Sequence, residues 1–350
     1  MTLAAAMLAV TVSGCGGEQS GQNADGTTTI RVGTMAEVGG SMVQYALDQG
    51  YFEDAGLNIE MELFATGVPI NEALAAGEVD VGVSGMASIF SLANGKTTWI
   101  GETNSGSSGL GIYVRDDNPV LGVSGTVAEH PDIKGDSATA KGMEVLGPVS
   151  TSQQYHVVAY ANAMGLSADE VPMINMEQGP ALTAFQSGQG DAISASPPNS
   201  FILEDAGYQK ISDFDEVNGC SVPDGVIVNT EFLQENRDAL VSFLKVLGTV
   251  ADEFNADEQK RFDFSMEFFT ENGKQYTDSV LTKMIEVRPC WDAEYYTADS
   301  YVFGEGLYSM IEYYKGDGKI TDAQVPAIEK SFDASLLEEA LGIDMQEMSF

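Results

Sequence analysis

One phrase of this chain occurs twice. Ala73–Ser84 reads ALAAGEVDVGVS and Ala184–Ala195 reads AFQSGQGDAISA, so Ala73, Gly77 and Asp80 are matched by Ala184, Gly188 and Asp191, each displaced by 111 positions. In both copies a helical run ends at a glycine, a short turn carries an aspartate, and an apolar strand ends in small residues. The flanking order agrees. Before the first copy, Ile30–Thr34 reads as a strand. Met42, Tyr45, Ala46 and Gln49 then recur at helical spacing up to a stop near Gly50, and Ile59–Leu63 alternates as a half-buried strand. Pro69 opens the helix that Gly77 closes. Around the second copy the pattern predicts strands at Met143–Leu146 and Val171–Met176 and helices at Gln153–Met164 and Ala181–Gln186. Two βαβ series of this kind predict two similar α/β lobes with right-handed crossovers.

The chain has 350 residues, enough for two such lobes at roughly 100–200 residues each. Gly111–Val114 would leave the first lobe and Gly225–Asn229 would return to it, two extended crossings that form a hinge pair beside a cleft. The expected division is therefore 30–112 with 225–350 for lobe 1 and 113–224 for lobe 2. Between Asp116 and Gly142, scattered Gly, Ser, Pro and Asp predict a surface loop with little regular structure. After Thr230 the chain reads as mainly helical. Leu240, Phe243, Leu244, Leu247, Val250, Ala251 and Phe254 form one apolar stripe that packs a helix onto a lobe.

The amino terminus carries an export pattern. Leu3–Val12 is apolar but far shorter than the ~20 residues that span a bilayer, and it ends at Val12-Ser13-Gly14-Cys15. This is the arrangement of a bacterial lipoprotein signal, with residues 1–14 removed and Cys15 lipidated. Residues 15–29, rich in Gly, Ser, Gln, Asn and Thr, follow as a flexible tether. No Lys or Arg precedes the apolar run, so a start upstream of Met1 is one account of this beginning. With Cys15 assigned to lipid, Cys220 and Cys290 are left either as a disulfide or as two separate thiols. A formal charge of −37 argues against nucleic acid, which needs clustered Lys or Arg. It also argues against adsorption of the body to anionic headgroups. With no CxxC or HExxH and only His130 and His156, no metal site is expected. His156 reads as a surface or core histidine rather than a base.

In open α/β sheets, ligands lie beyond the carboxyl ends of the strands. That rule selects four loops: Thr34–Gly40 with Glu37; Ser84, Gly85 and Met86; Ser150, Thr151, Ser152 and Gln153; and Ser194–Asn199 with Ser196. Three of them run into predicted helix starts, whose free N–H groups and positive dipole end suit an oxyanion. Plain N-capping by Ser and Thr is the competing account. No Arg or Lys falls in the four loops, so no bidentate clamp on an oxyanion is visible. Glu37 suits an amine or ring nitrogen, or stands as a solvated loop carboxylate.

The runs QYALDQGYFEDAGLNIEMELFATG (Gln44–Gly67), EALAAGEVDVGVSGMASIFSLANG (Glu72–Gly95), STSQQYHVVAYANAMGL (Ser150–Leu166) and ALTAFQSGQGDAISASPP together resemble one family. It is the solute-binding lipoproteins of ABC importers in the nitrate/sulfonate/taurine and thiamine-precursor group. The resemblance, which extends from about Ile30 to Asn255, implies a type II periplasmic-binding-protein fold, with two α/β lobes, two crossing hinge strands and a ligand shut between them. The implied ligand loops are Thr34–Gly40, Ser84–Met86, Ser150–Gln153 and Ser196–Asn199, with no cofactor. The implied protein is an extracytoplasmic, lipid-anchored monomer that captures a sulfonate-, carboxylate- or pyrimidine-like solute and passes it to an ABC permease and ATPase. The missing basic residue favours a larger, partly aromatic or zwitterionic solute over nitrate or a small sulfonate. Two other functions compete: a receptor that presents its ligand to a sensor protein, and an enzyme like the pyrimidine-precursor synthases.

Overall fold

The computed structural model describes residues 21–23, 26–149 and 151–350; the expected signal, Cys15 and Ser150 lie outside them. Two sheets organise the chain. The first contains β1 (Gly21–Gln22), β2 (Thr28–Met35), β3 (Leu57–Phe64), β4 (Val81–Ser84), β5 (Thr97–Ser105) and β11 (Pro223–Asn229). Its order is β3–β2–β4–β11–β5, with β1 pairing on the first two residues of β2. The second contains β6 (Gly111–Val114), β7 (Val145–Gly147), β8 (Met173–Asn175), β9 (Ala192–Ala195) and β10 (Gln209–Asp213) in the order β8–β7–β9–β6–β10. Each sheet sets three parallel strands beside an antiparallel strand that follows directly on the other sheet: β11 lies against β4, and β6 against β9.

The repeated phrase has the same structural job in both lobes. Gly77 and Gly188 end their helices with φ of +70° and +96°. Asp80 exchanges two bonds with the neighbouring strand: its N–H donates to Arg31 O at 2.8 Å, and its Oδ2 accepts from Arg31 N at 2.9 Å. Asp191 does likewise with Glu144, both distances being 2.9 Å. Each aspartate thus fixes the register at which its strand joins the sheet. The strands that follow, VGVS and AISA, are buried throughout, as central parallel strands are. Gly82 is glycine because a Cβ there would lie 2.9 Å from both Ile70 and Ile227.

The two crossings are bound to each other. Gly106 N donates to Val222 O and Val222 N donates to Ser107 Oγ, both at 2.9 Å. Asp215, on the return crossing, accepts from the hydroxyls of Ser107, Ser108 (2.6 Å) and Ser221 (2.7 Å). Arg288 donates to Ser108 O through Nε (3.0 Å) and to Gly106 O through Nη2 (2.9 Å).

The Thr230–Ala256 helix buries its predicted stripe from Leu240 to Phe254 and bends at Asn236, where φ is −131°. Helices Glu258–Glu271 and Asp278–Val287 follow, and the remaining chain packs into the first lobe. There Trp99 N donates to Ser331 O (2.7 Å) and Asp333 N to Trp99 O (3.0 Å), which covers the outer edge of β5. No described helix is long and apolar enough to cross a membrane.

Three expectations are corrected. The tether does not extend to residue 29: Gly21 and Gln22 pair with Thr29 and Thr28, so backbone hydrogen bonding has already begun there. The 116–142 segment is not merely a surface loop, because Val120, Ile133 and Ala140 are buried in the core of the second lobe. Cys220 and Cys290 are free thiols, one half-buried on the return crossing and the other buried beside Asn104 in the first lobe.

Glu102 is a buried carboxylate that accepts from Trp99 Nε1 (3.1 Å), Gly304 N (3.1 Å) and Tyr301 OH (2.8 Å), tying β5 to the carboxyl-terminal segment. Burial pushes its pKa up to about 7 against those three bonds. In the unfolded chain it ionises near pH 4.5, so stability falls as pH rises from there to about 7 and stays lower above. The shift corresponds to roughly 3 kcal/mol. Glu102→Gln keeps the shape: its amide oxygen can accept from Trp99 and Gly304 while its NH2 donates to Tyr301. Denaturant unfolding at pH 5 and pH 8 is expected to show a smaller loss of stability for the variant than for the parent.

Candidate functional site

Strand polarity brings six ends to one place. The carboxyl ends of β2, β4 and β5 and the amino end of β11 share one edge of the first sheet, since Gly225 pairs with Ser84 and Pro223 with Ser105. The carboxyl end of β9 and the start of β6 share the facing edge of the second, where Gly111 pairs with Ala195. Between these edges lies a cavity of about 50 Å³. Met86 borders it from the first lobe and Ser152 from the second. Gly106, Ser107, Val222 and Pro223 contribute from the crossings, with Phe214 and Asp224 completing the wall.

Among the residues expected from sequence, Met86 and Ser152 therefore reach one cavity. Gly85 lies against its wall, because a Cβ there would be 2.2 Å from Asp224 Oδ1. The other hydroxyls are engaged within the protein. Thr34 donates to Val83 O at 3.0 Å, and Ser84 shares a bond with Ser88 at 3.1 Å. Thr151 is an N-cap, accepting from Gln153 N (3.2 Å) and donating to Pro148 O (2.7 Å). Gln153 Nε2 donates to Ser196 Oγ at 3.1 Å, which couples the second-lobe helix start to the loop after β9. Ser152 donates to Gln153 Oε1 at 3.1 Å. Asn199 opens a helix of seven residues, and the helix after Met86 has five, so neither offers the long dipole that the oxyanion account needs.

Glu37 is held by a cation that no loop motif announces. Lys274 Nζ lies 2.5 Å from Glu37 Oε1 and also donates to Ala36 O at 2.5 Å. His156 is fully buried, 2.8 Å from Ser212 Oγ, and burial lowers its pKa to about 3, so it stays neutral in the second-lobe core. Among the described residues no cluster of His, Cys, Asp or Glu is placed to hold a metal ion.

Sequence reasoning missed Ser107, Phe214 and Asp224. The strand-end rule looks to carboxyl ends, whereas Asp224 sits near the amino end of an antiparallel strand. The signal that marks it is an acid set directly before an apolar run, in VPDGVIV. Oδ2 of Asp224 accepts from Asn104 Nδ2 at 3.1 Å. Removal from water raises its pKa above the usual carboxylate range; the Arg288 charge pulls it down and Glu37 pushes it up.

Both sides of the cleft touch beyond the cavity. Phe201, on the helix after β9, is buried against Phe268, Phe269, Val280, Leu281 and Met284 of the helices that follow Thr230–Ala256. Lys283 lies 2.5 Å from Asp205 of the same second-lobe helix. On the other flank the Tyr155 and Tyr313 rings are 4.7 Å apart.

Comparison with known proteins agrees with this architecture. The chain is 26% identical over 332 residues to a Brachyspira hyodysenteriae protein named as an ABC transporter periplasmic binding protein, covering 94% of each. It is 27% identical over 241 residues to a Bacillus subtilis protein named as an aliphatic sulfonates-binding protein, covering 67% of this chain and 68% of that one. The fold is shared with the periplasmic aliphatic sulphonate binding protein of Escherichia coli, at a TM-score of 0.67 and 15% identity over 92% of this chain and 94% of that one. The NMT1-like family model matches residues 23–261, well over half of the sequence, and the chain belongs to that family.

Proposed function

We propose that the protein is the solute-binding component of an ABC importer, closing its two lobes on a small organic solute and presenting it to the permease. The observation that carries this reading is the cavity bordered by Met86 of one lobe and Ser152 of the other. A solute there touches both lobes only when they are together, so its affinity for the closed form is what draws them shut. The similarity to periplasmic and sulfonate-binding proteins supports an extracytoplasmic, non-enzymatic role. Cys15 then serves as the lipid-bearing anchor and the protein acts as a monomer. The small solute and the permease with its ATPase are its partners.

The test is calorimetric titration and thermal melting with taurine, isethionate, nitrate, benzoate and aminopyrimidine. At least one is expected to bind at a 1:1 ratio and, at 100 times its Kd, to stabilise by about 2.7 kcal/mol. X-ray scattering should show no larger radius of gyration with solute than without. No binding to any of them sinks the reading.

Phe201 adds to closure without touching the cavity, because opening the cleft exposes a phenylalanine that the closed form buries. Phe201→Ala removes roughly 2 kcal/mol from the closed form and should weaken solute affinity by about thirtyfold. An unchanged Kd in Phe201→Ala would show that these contacts do not bias closure.

A further inference from the structure

Among the described residues Asp224 is the sole charged one on the cavity wall. Its Oδ2 is engaged by Asn104, but its Oδ1 accepts no hydrogen bond among the described residues. Two glycines flank that oxygen: a Cβ at Gly85 or Gly106 would lie 2.2 or 2.5 Å from it. Side chains are thus kept away from this oxygen.

The nearby cations already hold partners, although the Arg288 charge still acts on Asp224. Arg288 spends Nε and Nη2 on the carbonyls of Ser108 and Gly106, and Lys274 is taken by Glu37 and Ala36 O. An anionic solute would therefore meet a carboxylate and no cation on the wall. A cation would meet that carboxylate. Asp224 is half-buried, so a donor on the solute can reach its Oδ1 and add a charge-assisted hydrogen bond in the closed cleft.

We infer that Asp224 is the specificity-determining residue of the cleft and that the solute carries a cationic nitrogen, an ammonium or amidinium, seated on Asp224 Oδ1. The inference rests on the solute-binding reading above and names the class of solute.

The test uses calorimetric titration of three matched pairs: taurine with isethionate, β-alanine with propionate, and benzamidine with benzamide. At least one cation-bearing member is expected to bind tenfold or more tightly than its match. Asp224→Asn should cut that affinity at least tenfold and leave the weaker member within twofold. Binding confined to isethionate, propionate or benzamide, or an Asp224→Asn variant that holds the cation as before, overturns the inference while the solute-binding reading stands. Failure of all six to bind overturns both. A melting curve of the solute-free variant guards against misfolding. Asparagine can still accept from Asn104, so Asp224→Asn should melt at or above the parent temperature, and a clear drop would make Asp224 a structural residue instead.

Discussion

Asp215 accepts three serine hydroxyls, two from the outgoing crossing and one from the return. The two crossings are the only covalent links between the sheets, so any change in the angle between lobes must pass through the segment this carboxylate gathers. Arg288 braces the same segment from the carboxyl-terminal side. Hydroxyl-to-carboxylate bonds suit a pivot: they are strong enough to keep the strands in step, yet each hydroxyl can swing about its Cβ as the backbone turns. Burial raises the pKa of Asp215 while its three serine donors oppose the rise.

The cleft takes its character from the same crossings. Ser107, Val222, Pro223 and Asp224 lie on or beside them, which places the pivot and part of the cavity wall on one stretch of backbone. Under the proposed function, a solute seated there would press on the segment that must turn for closure. Phe201 and Tyr155 make their contacts away from the cavity wall and supply apolar packing between the two sides of the cleft.

Much of the architecture was legible because parallel strands buried on both faces admit few residue types. VGVS and AISA announce themselves by apolar, small composition, and the stripe from Leu240 to Phe254 by its spacing. The echo of Asp80 in Asp191 was legible as pattern, and its cause is a shared hydrogen-bonding task at the strand entrance. The cavity wall was less so. Met86 and Ser152 follow parallel strands and obey the strand-end rule, whereas Asp224 reaches the cleft because β11 runs antiparallel, a pairing that no local pattern declares. Lys274 meets Glu37 across 237 positions, and Thr34 and Thr151 carry the hydroxyls a ligand loop would want but spend them on backbone.

The cover over the outer edge of β5 has a consequence for the order of assembly. The second sheet is contiguous, from Gly111 to Asp213, and every strand it needs is present once that stretch has emerged. The first sheet must wait for β11, and its margin is covered in two steps, at Thr103–Asn104 by Cys290 and Trp291 and at Trp99 by Ser331–Asp333 near the end of the sequence. Long-range pairings of this kind form slowly. During biogenesis the later-completed half is the one that exposes an unpaired strand, and a chain cut short before residue 331 would leave the Trp99 end of that margin bare permanently.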